Sequence, residues 1–192
     1  MGAAAGRGRR AVFLDRDGVI NRNVLNPATG LMEAPLTAED FDVLPGVREA
    51  LRRLQAAGYL LFVVSNQPNV AKGKSTLEDL RAIDAALRDA LDAMQVRMAA
   101  VYYCLHHPEG IVQGYAGPCA CRKPSPYFLR KATGEFGIDL AESWMVGDRA
   151  TDVECGRAAG VRTALVGEAG AGARADWVGE DLAGATGYIL KR

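Results

Sequence analysis

The chain has no run of about 20 apolar residues, so none of it is long enough to cross a bilayer as a helix. Its first ten residues, MGAAAGRGRR, carry charge with no apolar stretch behind it. They do not read as a secretion signal, and the expectation is a frayed basic tail over residues 1–10. Net charge is missing too, since 23 basic and 23 acidic residues cancel. That argues against a broadly basic surface for nucleic acid. Cysteine is scarce, four in 192 residues. Without an export signal these are expected to be reduced thiols, metal ligands or catalytic groups rather than a disulfide frame. There is no internal repeat and no sign of a second core. The expectation is a cytoplasmic monomer that uses neither a membrane nor nucleic acid.

Hydrophobic residues at 49% and charged residues at 24% suit one globular domain over residues 11–192. Short apolar runs alternate with longer helical patterns, the rhythm of a doubly wound, mostly parallel α/β sheet. Strands are expected at Ala11–Leu14, Tyr59–Val64, Ala99–Cys104, Ser143–Val146 and Val161–Val166, with a last short one at Ala175–Val178. Pro45-Gly46 opens a helix through Val47, Leu51 and Leu54 that stops at Gly58. Leu77, Leu80, Ile83, Leu87, Leu91 and Met94 recur every three or four residues and mark a second helix. Further helices follow around Phe128–Phe136 and Thr151–Ala159, a loop spans Gly167–Gly172, and a helix closes the chain.

In such a sheet, ligands gather where carboxyl ends of strands meet the following loops. Those ends carry Asp15 and Asp17, then Ser65 and Asn66, then Asp148 with Asp152 beyond it. Carboxylates converging on one rim repel unless a cation sits among them. Oxygen-only ligands suit a hard ion, Mg²⁺ above all. Each element also has a plain reading: Asp17-Gly18 as a turn, Ser65-Asn66 as a cap, Gly147-Asp148 as a loop. Asp152 either orients its neighbours or opens a helix.

Taken in order, Asp15-Arg16-Asp17-Gly18-Val19, Ser65-Asn66-Gln67, Lys123-Pro124 and Gly147-Asp148-x-x-x-Asp152 resemble the motifs of the haloacid-dehalogenase-like phosphohydrolases. The resemblance covers nearly the whole chain past the tail. It implies a Rossmann-like core and an aspartyl-phosphate formed on Asp15, with Asp17 as general acid and base. It further implies Mg²⁺ on Asp15, Asp148 and the backbone carbonyl of Asp17, a cation from Lys123 and a hydroxyl donor from Ser65. Asn21, Asn66, Gln67 and Arg149 are assigned to substrate binding with Ser65 and Lys123. No room lies between Asp17 and Ser65 for a large cap domain. The segment from Asn21 to Phe41 and a zinc loop must then wall the pocket.

That loop rests on a second cluster: Cys104-x-His106, twelve residues, then Cys119-x-Cys121. In extended chain, residues i and i+2 point to one side, so each pair can pinch a metal. Four such ligands with no vacancy suit a structural Zn²⁺, against the readings of buried free thiols or a disulfide. The spacing resembles the branch of heptose bisphosphate 7-phosphatases and histidinol-phosphate phosphatases, so a phosphorylated sugar is the expected substrate, with histidinol phosphate the alternative. A catalytically silent, zinc-stabilised binding module is the alternative of another class. Arg122 and Lys123 directly follow Cys121, so bound zinc would aim them at the substrate phosphate; Arg122 otherwise reads as a surface charge. His107 has no assigned role, and Cys155 reads as a small core residue. Two segments depart from the branch: Arg22–Asn26, and Pro68-Asn69-Val70 where a glycine often follows Gln67. Arg149 stands where some relatives carry lysine.

Overall fold

The structure, a computed structural model, describes residues 8–167 and 172–192. Residues 1–7 of the expected tail, and 168–171 of the expected loop, lie outside the described residues. The strands are β1 (Ala11–Leu14), β2 (Val24–Asn26), β3 (Leu31–Glu33), β4 (Leu60–Asn66), β5 (Met98–Cys104), β6 (Trp144–Gly147), β7 (Arg162–Val166) and β8 (Trp177–Gly179). The helices are α1 (Val47–Ala56), α2 (Leu77–Ala93), α3 (Tyr127–Phe136), α4 (Ala150–Ala159) and α5 (Leu182–Ile189). Six strands form one parallel sheet in the order β5-β4-β1-β6-β7-β8.

Strand alternation divides the core into two layers. Val12, Leu14, Leu61, Val63, Trp144 and Val146 pack with residues of α1, α2 and α5. Phe13, Phe62, Val64 and Met145 face the other way, onto Phe128, Leu129 and Ala132 of α3 and Cys155 of α4. Both faces are thus covered by helices, which is why the central strands read as unbroken apolar runs. The chain leaves β1 toward β4 and β5, then returns to the other side of β1 with β6, β7 and β8. The order reverses at β1, so the loops after β1, β4 and β6 open onto one crevice.

Three local expectations change. Residues 8–10 are not frayed: the Arg9 amide donates to the Gly137 carbonyl at 3.0 Å, and the Asp139 amide returns to the Arg9 carbonyl at 2.9 Å. The guanidinium of Arg10 lies 4.4 Å from the centre of the Tyr59 ring. The last strand sits two residues later than expected, because Asp176 is engaged as a lead-in; its carboxylate accepts from the amide and hydroxyl of Thr163. The segment after Asn21 contains an antiparallel hairpin, β2 on β3. Its strands are three residues long, and Leu25, Leu31 and Met32 are exposed, so no apolar alternation announced it.

Helix α4 lies so close to the sheet that a Cβ on Gly156 would stand 2.6 Å from Thr163 Cγ2 and 2.9 Å from Met145 Cβ. Nothing within 4 Å surrounds the same point on Gly134 in α3. Gly156→Ala is expected to destabilise by about 1–3 kcal/mol through overpacking. Gly134→Ala should stabilise by about 0.5–1 kcal/mol through backbone entropy. Denaturant unfolding of the two variants checks the opposite signs.

Candidate active site

The Asp15 amide extends the sheet ladder by donating to the Val146 carbonyl at 2.9 Å. That holds the first residue past β1 level with the end of β6. Asp15 Oδ1 accepts from the Arg16 amide at 2.8 Å and lies 3.0 Å from Lys123 Nζ. Gly18, at φ +82°, turns the chain where a Cβ would overlap Asp148 Oδ2. Only glycine allows both the turn and the approach of that carboxylate.

Lys123 is buried and reached from three sides. Its Nζ pairs with Asp152 Oδ1 at 2.6 Å as well as with Asp15, and it donates to the Val64 carbonyl at 2.8 Å. The Asn66 side chain grips the same residue by its backbone, accepting from the Lys123 amide at 3.0 Å and donating to its carbonyl at 3.2 Å. Burial alone would lower the Lys123 pKa, but Asp15 and Asp152 outweigh it and hold the ammonium above its ordinary value. Asp152 does both things expected of it: its other oxygen accepts from the Arg149 amide at 3.0 Å, capping α4, while Oδ1 orients Lys123.

Asp148 is only weakly compensated: Asn23 Nδ2 donates to its Oδ2 at 3.5 Å, and Arg149 Nε stands 3.9 Å from its Oδ1. Its Oδ1 is buried with no hydrogen-bond partner. Burial, followed by the nearby Asp15 and Asp152, pushes its pKa up to about 7. One oxygen from each of Asp15, Asp148 and Asp152 lies within 4.8 Å of the others. Such a donor set fits a hard divalent cation, and the orphaned oxygen is where it would bond. Both Asp152 oxygens are engaged, by Lys123 and by the Arg149 amide, whereas Asp15 and Asp148 each keep an oxygen free to ligate.

The Asp17 carboxylate is occupied by donors of its own. It is held by Arg16 Nε at 3.0 Å and Arg16 Nη2 at 3.2 Å, by Asn21 Nδ2 at 3.0 Å, and by Gln67 Nε2 at 2.7 Å. Four donors on two oxygens leave the side chain outside the acidic cluster, so only its backbone carbonyl is available to a metal. Asn21 and Gln67, expected to touch substrate, are consumed in this clamp and are buried. Gln67 also donates to Ser65 Oγ at 3.0 Å, which leaves the Ser65 hydroxyl proton free to point outward. Arg16 is the residue the sequence reading passed over. It is fully buried, with its guanidinium 5.4 Å from the Tyr103 ring centre. An arginine between two aspartates at the end of a buried strand was the available signal.

A cavity of about 250 Å³ opens over Asp15, Asp17, Asn66 and Arg149. Leu31, Met32, Glu33 and Ala34 of the hairpin form one wall, as the segment after Asn21 was expected to. The other wall is Pro68, Asn69, Lys72 and Lys74, not the Cys/His loop. Lys74 Nζ ties the walls together, 2.6 and 2.8 Å from the two Glu33 oxygens. The Cys/His loop stands behind: the amides of Ile111 and Val112 donate to the Ala71 carbonyl at 2.8 and 3.0 Å. Arg122 does not enter the cavity lining, and its Nη1 donates to the His106 carbonyl at 3.3 Å.

Ligand atoms of Cys104, His106, Cys119 and Cys121 all lie within 4.8 Å of one another. Cys104 Sγ is 3.5 Å from Cys119 Sγ, which is 3.7 Å from Cys121 Sγ. Tetrahedral bonds of about 2.3 Å place sulfurs about 3.8 Å apart, so the spacing suits zinc. The four cysteines are free, which removes the disulfide reading. His106 Nδ1 is buried without a partner, the orphaned donor a metal would satisfy.

A family profile described as HAD-hydrolase-like matches residues 120–185. The chain is 39% identical over 161 residues to a D-glycero-beta-D-manno-heptose-1,7-bisphosphate 7-phosphatase of Rhodopseudomonas palustris, covering 84% of each chain. It is 36% identical over 188 residues to the protein of that name from Escherichia coli, covering 95% of this chain and 94% of the other. Among solved structures, the D,D-heptose 1,7-bisphosphate phosphatase of B. bronchiseptica, complexed with magnesium and phosphate, superposes with a TM-score of 0.75 at 30% identity. That match covers 95% of this chain and 98% of the other. A putative HAD-like phosphatase from Mesorhizobium loti superposes at 0.81 with 27% identity, covering 100% and 88%.

Magnesium titrated into metal-free protein should raise its melting temperature by several degrees, the linkage expected of a ligand specific to the folded state. Asp148→Asn is expected to lose most of that rise and Asp17→Asn to keep it, read by thermal denaturation. Equal loss in both would restore the Asp17 carboxylate as a ligand.

Proposed function

The chain belongs to the HAD-like hydrolase family that includes the heptose-1,7-bisphosphate 7-phosphatases, and from that premise we propose that it hydrolyses the 7-phosphate of D-glycero-D-manno-heptose 1,7-bisphosphate through an aspartyl-phosphate on Asp15. The observation that carries the reading is the pairing of Asp15 Oδ1 with a buried Lys123 beside a separately clamped Asp17. The names of the relatives at 36% and 39% identity support the substrate.

Asp15 Oδ1 is held by the Arg16 amide and Lys123, so Oδ2 is the oxygen left to attack phosphorus. As that bond forms, the bond from phosphorus to the sugar C7 oxygen breaks, and Asp17 gives its proton to the leaving alkoxide. Asp17 then takes a proton from the water that attacks the acyl-phosphate, releasing inorganic phosphate and restoring Asp15. Lys123 neutralises charge on the nucleophile, and the Ser65 hydroxyl donates to a phosphoryl oxygen. Arg16, Asn21 and Gln67 hold Asp17 apart from the acidic cluster, and one of these donors has to release a carboxylate oxygen for Asp17 to carry its proton. Asp15, Asp148 and the Asp17 carbonyl would hold Mg²⁺, which would supply charge neutralisation for the transferring group. Arg149, lining the cavity with an exposed side chain, contacts the sugar phosphate.

Cys104, His106, Cys119 and Cys121 hold a structural Zn²⁺ in the same reading. It acts at a distance, by bracing the 68–74 wall through Ala71 and by fixing the Cys121-Arg122-Lys123 segment. Among the described residues, no helix is long and apolar enough to cross a membrane. Cysteines outside any disulfide suit a reducing compartment such as the cytoplasm.

Purified protein with Mg²⁺ should release phosphate from heptose 1,7-bisphosphate faster than from histidinol phosphate, and Asp15→Asn should lower turnover by at least about 10³-fold. Preference for histidinol phosphate would replace the substrate, and undiminished release by Asp15→Asn would remove the nucleophile. Chelating zinc while Mg²⁺ is kept, or substituting Cys121→Ser, should lower the melting temperature and cut turnover by about tenfold or more. Full activity in a verified zinc-free sample would refute the bracing role.

A further inference from the structure

The wall of residues 68–74 carries two lysines with opposite circumstances. Lys74 is neutralised by Glu33 through two short bonds. Lys72 lines the same cavity as Asp15, and no carboxylate pairs with it among the described residues. Asn69 is the second observation. It is 7% exposed, it lines the cavity, and its Nδ2 is buried with no hydrogen-bond partner. An unpartnered buried amide donor is costly unless a ligand satisfies it.

An ammonium and an amide N–H both donate, so together they select an anion. In the function proposed above, the transferring phosphate is already provided for by Lys123 and Ser65, beneath the Asp15 and Asn66 floor. We propose that Asn69 Nδ2 and Lys72 Nζ form the subsite for the phosphate that is left in place, and so make the enzyme select sugar bisphosphates over monophosphates. This deepens the function proposed above and rests on it. Geometry supports the division of labour. The floor and the 68–74 wall belong to one cavity, and the carboxylate that would oppose a second anion there, Glu33, is held by Lys74. Lys72 and Asn69 are specificity residues in this scheme, taking no part in bond making.

The test uses the Mg²⁺-loaded, zinc-containing enzyme with p-nitrophenyl phosphate as reporter. Competition is measured with two pairs: heptose 1,7-bisphosphate against heptose 7-phosphate, and fructose 1,6-bisphosphate against fructose 6-phosphate. Wild type should bind at least one bisphosphate about tenfold or more tightly than its monophosphate, the worth of a charge-assisted hydrogen bond. Lys72→Gln and Asn69→Gly should each reduce that ratio by about tenfold, and Lys72→Arg should restore most of it. A ratio seen only with the fructose pair would overturn the heptose reading and support the subsite. Wild type without preference in either pair, or variants that keep the wild-type ratio, would overturn the subsite.

Discussion

Lys123 sits at the centre of the fold's chemistry, an ammonium buried between the carboxylates of Asp15 and Asp152 and bonded to the Val64 carbonyl. Buried alone, such a cation would cost several kcal/mol, and so would either acid. Together they cancel, which lets the ends of β1, β4 and β6 crowd carboxylates into one crevice. Three sequence-distant elements have to be in place at once: the loop after β1, the Asn66 grip on the Lys123 backbone and the first turn of α4. Lys123 therefore reports on the folding of the whole sheet centre. The residual imbalance falls on Asp148, whose buried, unpartnered oxygen defines where a divalent cation belongs.

Asp17 is kept separate from that network by a second one. Arg16, Asn21 and Gln67 saturate its oxygens, so two aspartates only two residues apart face different partners. In the proposed reaction, this separation gives the nucleophile and the proton-handling acid different surroundings. Arg16 is itself packed against Tyr103, whose hydroxyl donates to Asp84 on α2. The position of the proton-handling acid is thus tied to helix packing rather than to the loop alone.

The cavity walls are built differently from its floor. The hairpin and the 68–74 segment owe little to the apolar core and are joined by one ion pair, Lys74 to Glu33. Behind the second wall, two amides of the Cys/His loop hold Ala71. A metal in that loop has a mechanical route to the cavity without lining it. Selectivity then resides in the parts of the molecule that vary most easily, and reaction chemistry in the parts buried deepest.

Composition, apolar runs and motif spacing were enough to anticipate a parallel sheet, its helices, the acids at its carboxyl edge and the Cys/His cluster. These are legible because burial on two faces forces continuous apolar strands, and because chemistry on a strand end needs particular side chains at short range. The hairpin β2–β3 was not legible, since its pairing is made by hydrogen bonds and exposed side chains with no apolar period. Nor could order along the chain show that Asn21 and Gln67 serve Asp17 rather than substrate, or that Arg122 turns toward the His106 carbonyl. Those are choices among partners 4 to 50 residues apart or brought in by a separate loop. Tertiary packing alone decides them, because a donor's partner depends on which polar groups are buried beside it, and burial exists only once the sheet has closed.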